Sequence, residues 1–148
     1  APESEIYWSV ENNTLGEAAL VVIQEVGEDN IPGQLVNQPR AANRAYRKGF
    51  TTTNKTKLAA CSKLKNWIES EKMEVASSAL LQELKTFIAR GSSFAAKDGE
   101  TDDLVMATVL VVRIAQQVAQ YDESAYDELK DSFTDEESVE PMPFVFLT

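Results

Sequence analysis

The sequence predicts an α/β layer fold with a partly parallel sheet flanked by helices, and three observations carry that reading. Short runs of β-branched and aromatic residues alternate with longer segments of helical apolar spacing. Polar and glycine-containing turn formers separate them. One segment, Leu104 to Val112, is apolar on nearly every face, as expected of a helix sandwiched between a sheet and other elements.

Ile6-Tyr-Trp-Ser-Val10 reads as a strand that ends at Glu11-Asn12-Asn13, which places Glu11 at a strand's carboxyl end. Thr14-Leu-Gly-Glu17 has capping-box spacing, and Leu15, Ala18, Ala19, Val22 and Val26 follow at helical intervals until Gly27 offers a stop. A second strand is expected over Gln34 to Asn37. An irregular basic segment then runs through Gly49 and Thr51-Thr-Thr53. Asn54 to Lys72 reads as a helix with Leu58, Cys61, Leu64 and Ile68 on one stripe. Met73 to Ala76 is expected to be a short strand, followed by a helical stretch carrying Leu80, Leu81, Leu84, Phe87 and Ile88. Ser93 to Lys97 reads as a strand, Asp98-Gly99 as its turn, and the last main helix begins near Thr101. Gln116, Gln117 and Gln120 are expected to mark its emergence into water.

At 148 residues and 43% hydrophobic content the chain has the size and apolar supply of one ordinary domain. Residues 1–120 are expected to form it, with 121–148 an acidic tail ending in the apolar run Pro141-Met-Pro-Phe-Val-Phe-Leu147. The start carries no basic, apolar signal-peptide pattern, and Leu104 to Val112 is too short to span a bilayer, so no membrane partner is expected. One cysteine, Cys61, excludes an internal disulfide framework, and its place on an apolar stripe makes it a core residue. The expected setting is intracellular and reduced.

The net charge of −10 is unevenly distributed. Tyr121 to Glu140 holds nine acidic residues and one lysine, whereas Asn30 to Ile68 holds no acidic residue and carries Arg40, Arg44, Arg47, Lys48, Lys55, Lys57, Lys63 and Lys65. Such a window is the footprint expected for phosphate contact. A solvated basic face, or an internal partner for the acidic tail, produces the same pattern.

Chemistry is restricted by what the chain lacks. With no histidine there is no Ser-His or Cys-His dyad and no zinc set, and no nucleotide-binding glycine loop occurs. The chain as printed is not a motor. What remains is carboxylate chemistry: Glu11 at a strand end, and Asp102 and Asp103 at the head of the apolar helix. The helix macrodipole stabilises negative charge there, and adjacent acids facing a third would repel one another until a cation arrives. On composition alone, ordinary helix N-terminal charge placement is the commoner origin of Asp102 and Asp103, and an exposed strand-end acid explains Glu11.

Tyr7-Trp-Ser-Val-Glu-Asn-Asn-Thr-Leu-Gly-Glu17 closely resembles the second acidic motif of the large terminases of T4-like tailed phages. Gly49-Phe-Thr-Thr-Thr-Asn-Lys-Thr-Lys57, Leu81-Gln-Glu-Leu-Lys-Thr-Phe87 and Gly99-Glu-Thr-Asp-Asp-Leu-Val-Met-Ala107 resemble later blocks of that family in the same order. The resemblance covers about Ile6 through Gln120. It implies an RNase H-like nuclease fold with three acidic positions around a divalent-metal site, expected to hold two Mg²⁺ or Mn²⁺ ions in the complete domain. Glu11 matches the middle position, and the third falls within Asp102-Asp103.

The family's first acidic residue, an aspartate on the first strand of its fold, has no counterpart before Ile6, nor has the family's ATPase region. The N-terminal strands of the fold are therefore expected to be missing, the isolated chain to bind metal weakly and cut DNA poorly, and an open strand edge beside Ile6 to Val10 to invite a homodimer. The resemblance further implies cleavage of concatemeric double-stranded DNA during genome packaging, in the host cytoplasm, with portal protein and small terminase subunit as partners. Lys55 and Lys57, then Arg44 and Arg47, are the expected phosphate contacts. Two competing readings use the same residues: a junction resolvase of the same fold, and a catalytically incomplete DNA-binding or portal-docking module.

Overall fold

The computed structural model describes residues 6–40, 45 and 47–134, and the side chains among them as far as Glu123. Arg44 and the apolar run at 141–147 lie outside the described residues. The chain divides into two units, Ala1–Gln117 and Val118–Thr148.

The first unit is mixed α/β. Strand β1, Tyr7–Trp8, pairs in parallel with β2, Gln34–Leu35. The hydrogen-bonded run is longer than the two strands. Gln34 N–H donates to the Ile6 carbonyl at 2.8 Å, Val36 N–H to Trp8 at 2.9 Å, and Phe50 N–H to Val10 at 2.9 Å. Glu11 and Phe50 thereby form a further parallel bridge. Strand β1 is thus shorter than the expected run from Ile6 to Val10, whose carbonyls accept from two successive partners.

Helix α1, Thr14–Val26, ends at Gly27, whose φ of 90° suits a residue without Cβ. Its start differs from expectation. Asn13 is the N-cap, its side chain accepting from Gly16 N–H, because the turn after Glu11 is already closed one residue before Thr14. The apolar stripe of α1 also differs. Leu15 is 85% exposed, and Ala18, Ala19, Val22 and Val26 are exposed too. Helical periodicity correctly marks a face, but among the described residues nothing covers it.

Helix α2, Asn54–Glu69, begins with a full capping box between Thr53 and Thr56. Met73 to Ala76 is not a strand: Lys72 and Met73 N–H groups both donate to the Trp67 carbonyl, so the chain wraps the end of α2 rather than joining a ladder. Helix α3 spans Ser78–Thr86 and stops earlier than its leucine spacing suggests. Phe87–Arg90 instead forms β3, antiparallel to β4 at Ser93–Ala96, with Gly91 at φ 58° in the turn and Phe87 stacked on Phe94 at 6.1 Å. The partner strand decides this: Phe87 and Ile88 gain a ladder only by leaving the helix.

Helix α4 runs Asp103–Thr134. Val105, Val109 and Val112 pack with Ala60 and Leu64 of α2 into the buried cluster, which Leu80, Leu84 and Phe87 flank. Leu104 and Val111 are exposed, so α4 buries one face rather than being sandwiched. Gln117 is buried as well, at 8% exposure, and so does not mark an emergence into water. By length and composition alone Asp103–Glu123 is long and apolar enough to cross a membrane. A core helix passes the same test, and Val105, Val109 and Val112 are spent on the cluster with α2.

Candidate active site

Glu11 is positioned by backbone geometry. Asn12 N–H donates to the Phe50 carbonyl at 2.9 Å and Phe50 N–H to Val10, which pins the chain on both sides of Glu11. Asn12 is buried, and its side chain is fully engaged: Nδ2 donates to the Lys48 carbonyl at 2.8 Å, and Oδ1 accepts from Thr51 Oγ1 at 2.8 Å. Gln38 clasps Thr51 from the other side, accepting from its N–H at 2.8 Å and donating to its hydroxyl at 3.2 Å. Asn37 Oδ1 accepts from Gly49 N–H at 2.7 Å. Both polar ends of Asn12 and of Gln38 have partners in this clasp, which favours a single arrangement.

Gly16 completes the placement. It is buried in the first turn of α1, and a Cβ there would overlap the Glu11 carbonyl oxygen. Only glycine lets α1 leave the strand end so closely. The Glu11 carboxylate accepts from Asn13 Nδ2 at 2.9 Å.

Asp103 is positioned by packing and capping. Glu83 of α3 accepts from Leu104 N–H at 2.7 Å and Val105 N–H at 3.1 Å, and its other oxygen accepts from Thr101 Oγ1 at 3.0 Å. A carboxylate from another helix thus caps α4 just where Asp103 projects.

The two neighbouring aspartates have separate surroundings. Asp102 Oδ2 accepts from Ala96 N–H at 3.1 Å, tying the head of α4 to β4. Asp103 lines a pocket of about 260 Å³ together with Glu11, Thr52, Met106, Ala107, Val109, Leu110 and Arg113. Glu11 and Asp103, distant in sequence, therefore share one cavity, and Asp102 is not among its walls.

Arg113 is the residue that sequence reasoning missed. Its Nη1 donates to the Thr51 carbonyl at 3.1 Å, and its guanidinium lies 4.8 Å from the centre of the buried Phe50 ring. Burial pushes its pKa below the ordinary value, and the charge of Glu11 pulls it partly back up. A lone cation inside the apolar run Leu110 to Ala115 was the available signal. Asn12, Gly16 and Glu83 fall inside the blocks that resemble the terminase family, but nothing in the sequence alone named their contacts, which only the folded chain creates.

The basic window is partly neutralised. Arg47 is ion-paired with Glu17 and Lys48 with Glu28. Lys57 Nζ lies 5.8 Å from the Phe87 ring centre, and Lys65 pairs with Glu69 at 3.7 Å. Lys55, in the first turn of α2, is exposed and follows closely on Thr52 of the pocket wall. Among the described residues no group of three or more acidic, cysteine or histidine side chains gathers as a ready-made metal cage. No known protein-family model matches this chain.

Proposed function

We propose that this chain carries the carboxylate site of a metal-dependent endonuclease acting on double-stranded DNA, of the RNase H-like type found in large terminases. The observation that carries the reading is the convergence of Glu11 and Asp103 on one pocket beside Arg113. The ordered sequence blocks give the reading its family, and the pocket supports its chemistry.

The donor set fits a hard divalent cation. Both carboxylates offer anionic oxygen, and Mg²⁺ or Mn²⁺ bound through one or two carboxylates ordinarily keeps waters and substrate oxygens in its remaining positions. Glu11 and Asp103 would hold the ion, which when bound supplies Lewis-acid stabilisation of phosphate charge and lowers the pKa of coordinated water. Asp102 is assigned a supporting place, because its carboxylate is engaged with Ala96.

The chain's own residues do the rest. Asn13 orients the Glu11 carboxylate, and Glu83 holds the helix turn that presents Asp103. Lys55 and Lys57 meet the DNA backbone near the pocket, while Arg47 contributes once its pairing with Glu17 yields to phosphate. Arg44 is kept as a candidate contact from sequence. A second copy of the chain is proposed to pair along β1, which has β2 on one side only among the described residues. Light scattering that stays monomeric across a concentration series overturns the dimer.

The deciding experiment is a crystal soaked in Mn²⁺ and read by anomalous scattering. An ion at roughly 2.0–2.6 Å from oxygens of Glu11 and Asp103 supports the nuclease reading. An ion elsewhere, or none at millimolar Mn²⁺, sinks it. Cleavage assays on a longer chain that carries the family's first aspartate, with linear duplex and four-way junction, then separate terminase from resolvase chemistry, with Glu11→Gln and Asp103→Asn as controls.

A further inference from the structure

We infer that Arg113 forms a phosphate-binding subsite beside the Glu11–Asp103 pair, so that one pocket grips the substrate's phosphoryl oxygens and presents the carboxylates to them. The inference rests on the nuclease reading for its substrate class. Its structural basis is separate.

Arg113 is held as a recognition group is held. Its guanidinium lies over the Phe50 ring, itself 2% exposed and anchored by its N–H to Val10. One N–H is fixed on the Thr51 carbonyl, and Thr51 is clasped in turn by Asn12 and Gln38. A long side chain immobilised in this way has already lost the rotamer freedom that binding would otherwise cost.

Among the described residues its remaining donors have no hydrogen-bond partner. A guanidinium has five N–H groups, and the Thr51 bond uses one of Arg113's. None of the ion pairs among the described residues includes Arg113, although the charge of Glu11 is felt at it. Arg113, Glu11 and Asp103 thus line a common cavity of about 260 Å³ with no ion pair between them. The planar fork matches two phosphate oxygens, a geometry that lysine cannot reproduce. A phosphodiester is the occupant that satisfies both signs of charge, with its oxygens on Arg113 and its cation on the acids.

The competing role is a plain counter-ion that offsets two neighbouring acids. The full chain, labelled for arginine side-chain NMR, separates the two with inorganic phosphate as the probe and no metal added. The subsite predicts a saturable shift of the Arg113 Nε–H signal. It also predicts that Arg113→Lys weakens phosphate binding by about tenfold or more, as loss of charge-assisted hydrogen bonding implies. Arg113→Met, whose side chain still covers Phe50, should abolish the binding. No shift at Arg113, or undiminished phosphate binding by Arg113→Met with an intact amide fingerprint, overturns the inference. Should the methionine variant not fold, an Arg113→Lys variant that binds phosphate like the parent overturns it equally. Mn²⁺ binding, followed separately by paramagnetic broadening at Glu11 and Asp103, tests the metal reading. A phosphate shift at Arg113 without such broadening leaves the subsite standing and the metal reading refuted.

Discussion

The segment from Ile6 to Thr53 and the helices from Asn54 to Gln117 are held together by different forces. In the first, Val36 and Phe50 are the only buried hydrophobics among the described residues, and the apolar face of α1 is exposed. Order there comes from backbone ladder bonds and from the side chains of Asn12, Asn37 and Gln38 clasping neighbouring peptide groups. In the second, Ala60, Leu64, Val105, Val109 and Val112 form a contiguous cluster. Directional bonds specify where a backbone atom lies, whereas apolar burial specifies which helix faces meet. The pocket takes Glu11 from the first kind of structure and Asp103 from the second, so it reports on both.

That contrast can be broken at either end. The largest effect is expected from Leu64→Ala, which empties part of the helical cluster and should cost about 2–5 kcal/mol in urea denaturation. A loss well below 1 kcal/mol would mean that the cluster is not the source of stability. Next comes Gly16→Ala, at about 1–3 kcal/mol of overpacking against the Glu11 carbonyl. It should also weaken Mn²⁺ binding, which Leu64→Ala should affect only in proportion to unfolding. Unchanged Mn²⁺ affinity in Gly16→Ala would show that Glu11 is not placed by this contact.

Glu83→Ala removes the cap of α4 and should cost about 0.5–2 kcal/mol. Glu83→Gln should recover part of that, because the amide oxygen still accepts a hydrogen bond. Equal losses for both variants would assign Glu83 to charge rather than capping. The smallest effect concerns Cys61. Burial pushes its thiol pKa up, with Lys57 partly opposing. A raised folded-state pKa contributes stability that is complete below the ordinary thiol pKa and is lost as pH rises through the folded value. Iodoacetamide should accordingly modify Cys61 more slowly than free cysteine near pH 8 and catch up only at higher pH, as mass spectrometry would show. Faster modification than free cysteine would contradict the burial.

Much of the molecule was legible without coordinates where a local signal had a local cause. Gly27 ends α1, α2 begins at Asn54, Asp98-Gly99 turns the chain, and Cys61, Leu64 and Ile68 face the core, all from local spacing and turn chemistry. The positions of Glu11 after the first extended run and of Asp103 at the head of α4 were legible too. Errors arose where a distant partner decides. Phe87 and Ile88 left the helix because β4 offered a ladder, Met73 was taken by the end of α2, and Gln117 was buried by the fold around it.

The sequence by itself determined the alternation of strands and helices, the uneven charge and the absence of histidine chemistry, because these depend on residue identity and spacing alone. Only the tertiary structure decided that Asp103 rather than Asp102 shares a cavity with Glu11, that Arg113 joins them, and that Arg47 is matched to Glu17. Asp102 precedes the first turn of α4 and accepts from the backbone of β4, whereas Asp103 opens the helix itself, so two aspartates that are adjacent in sequence meet different neighbours once the helix is docked.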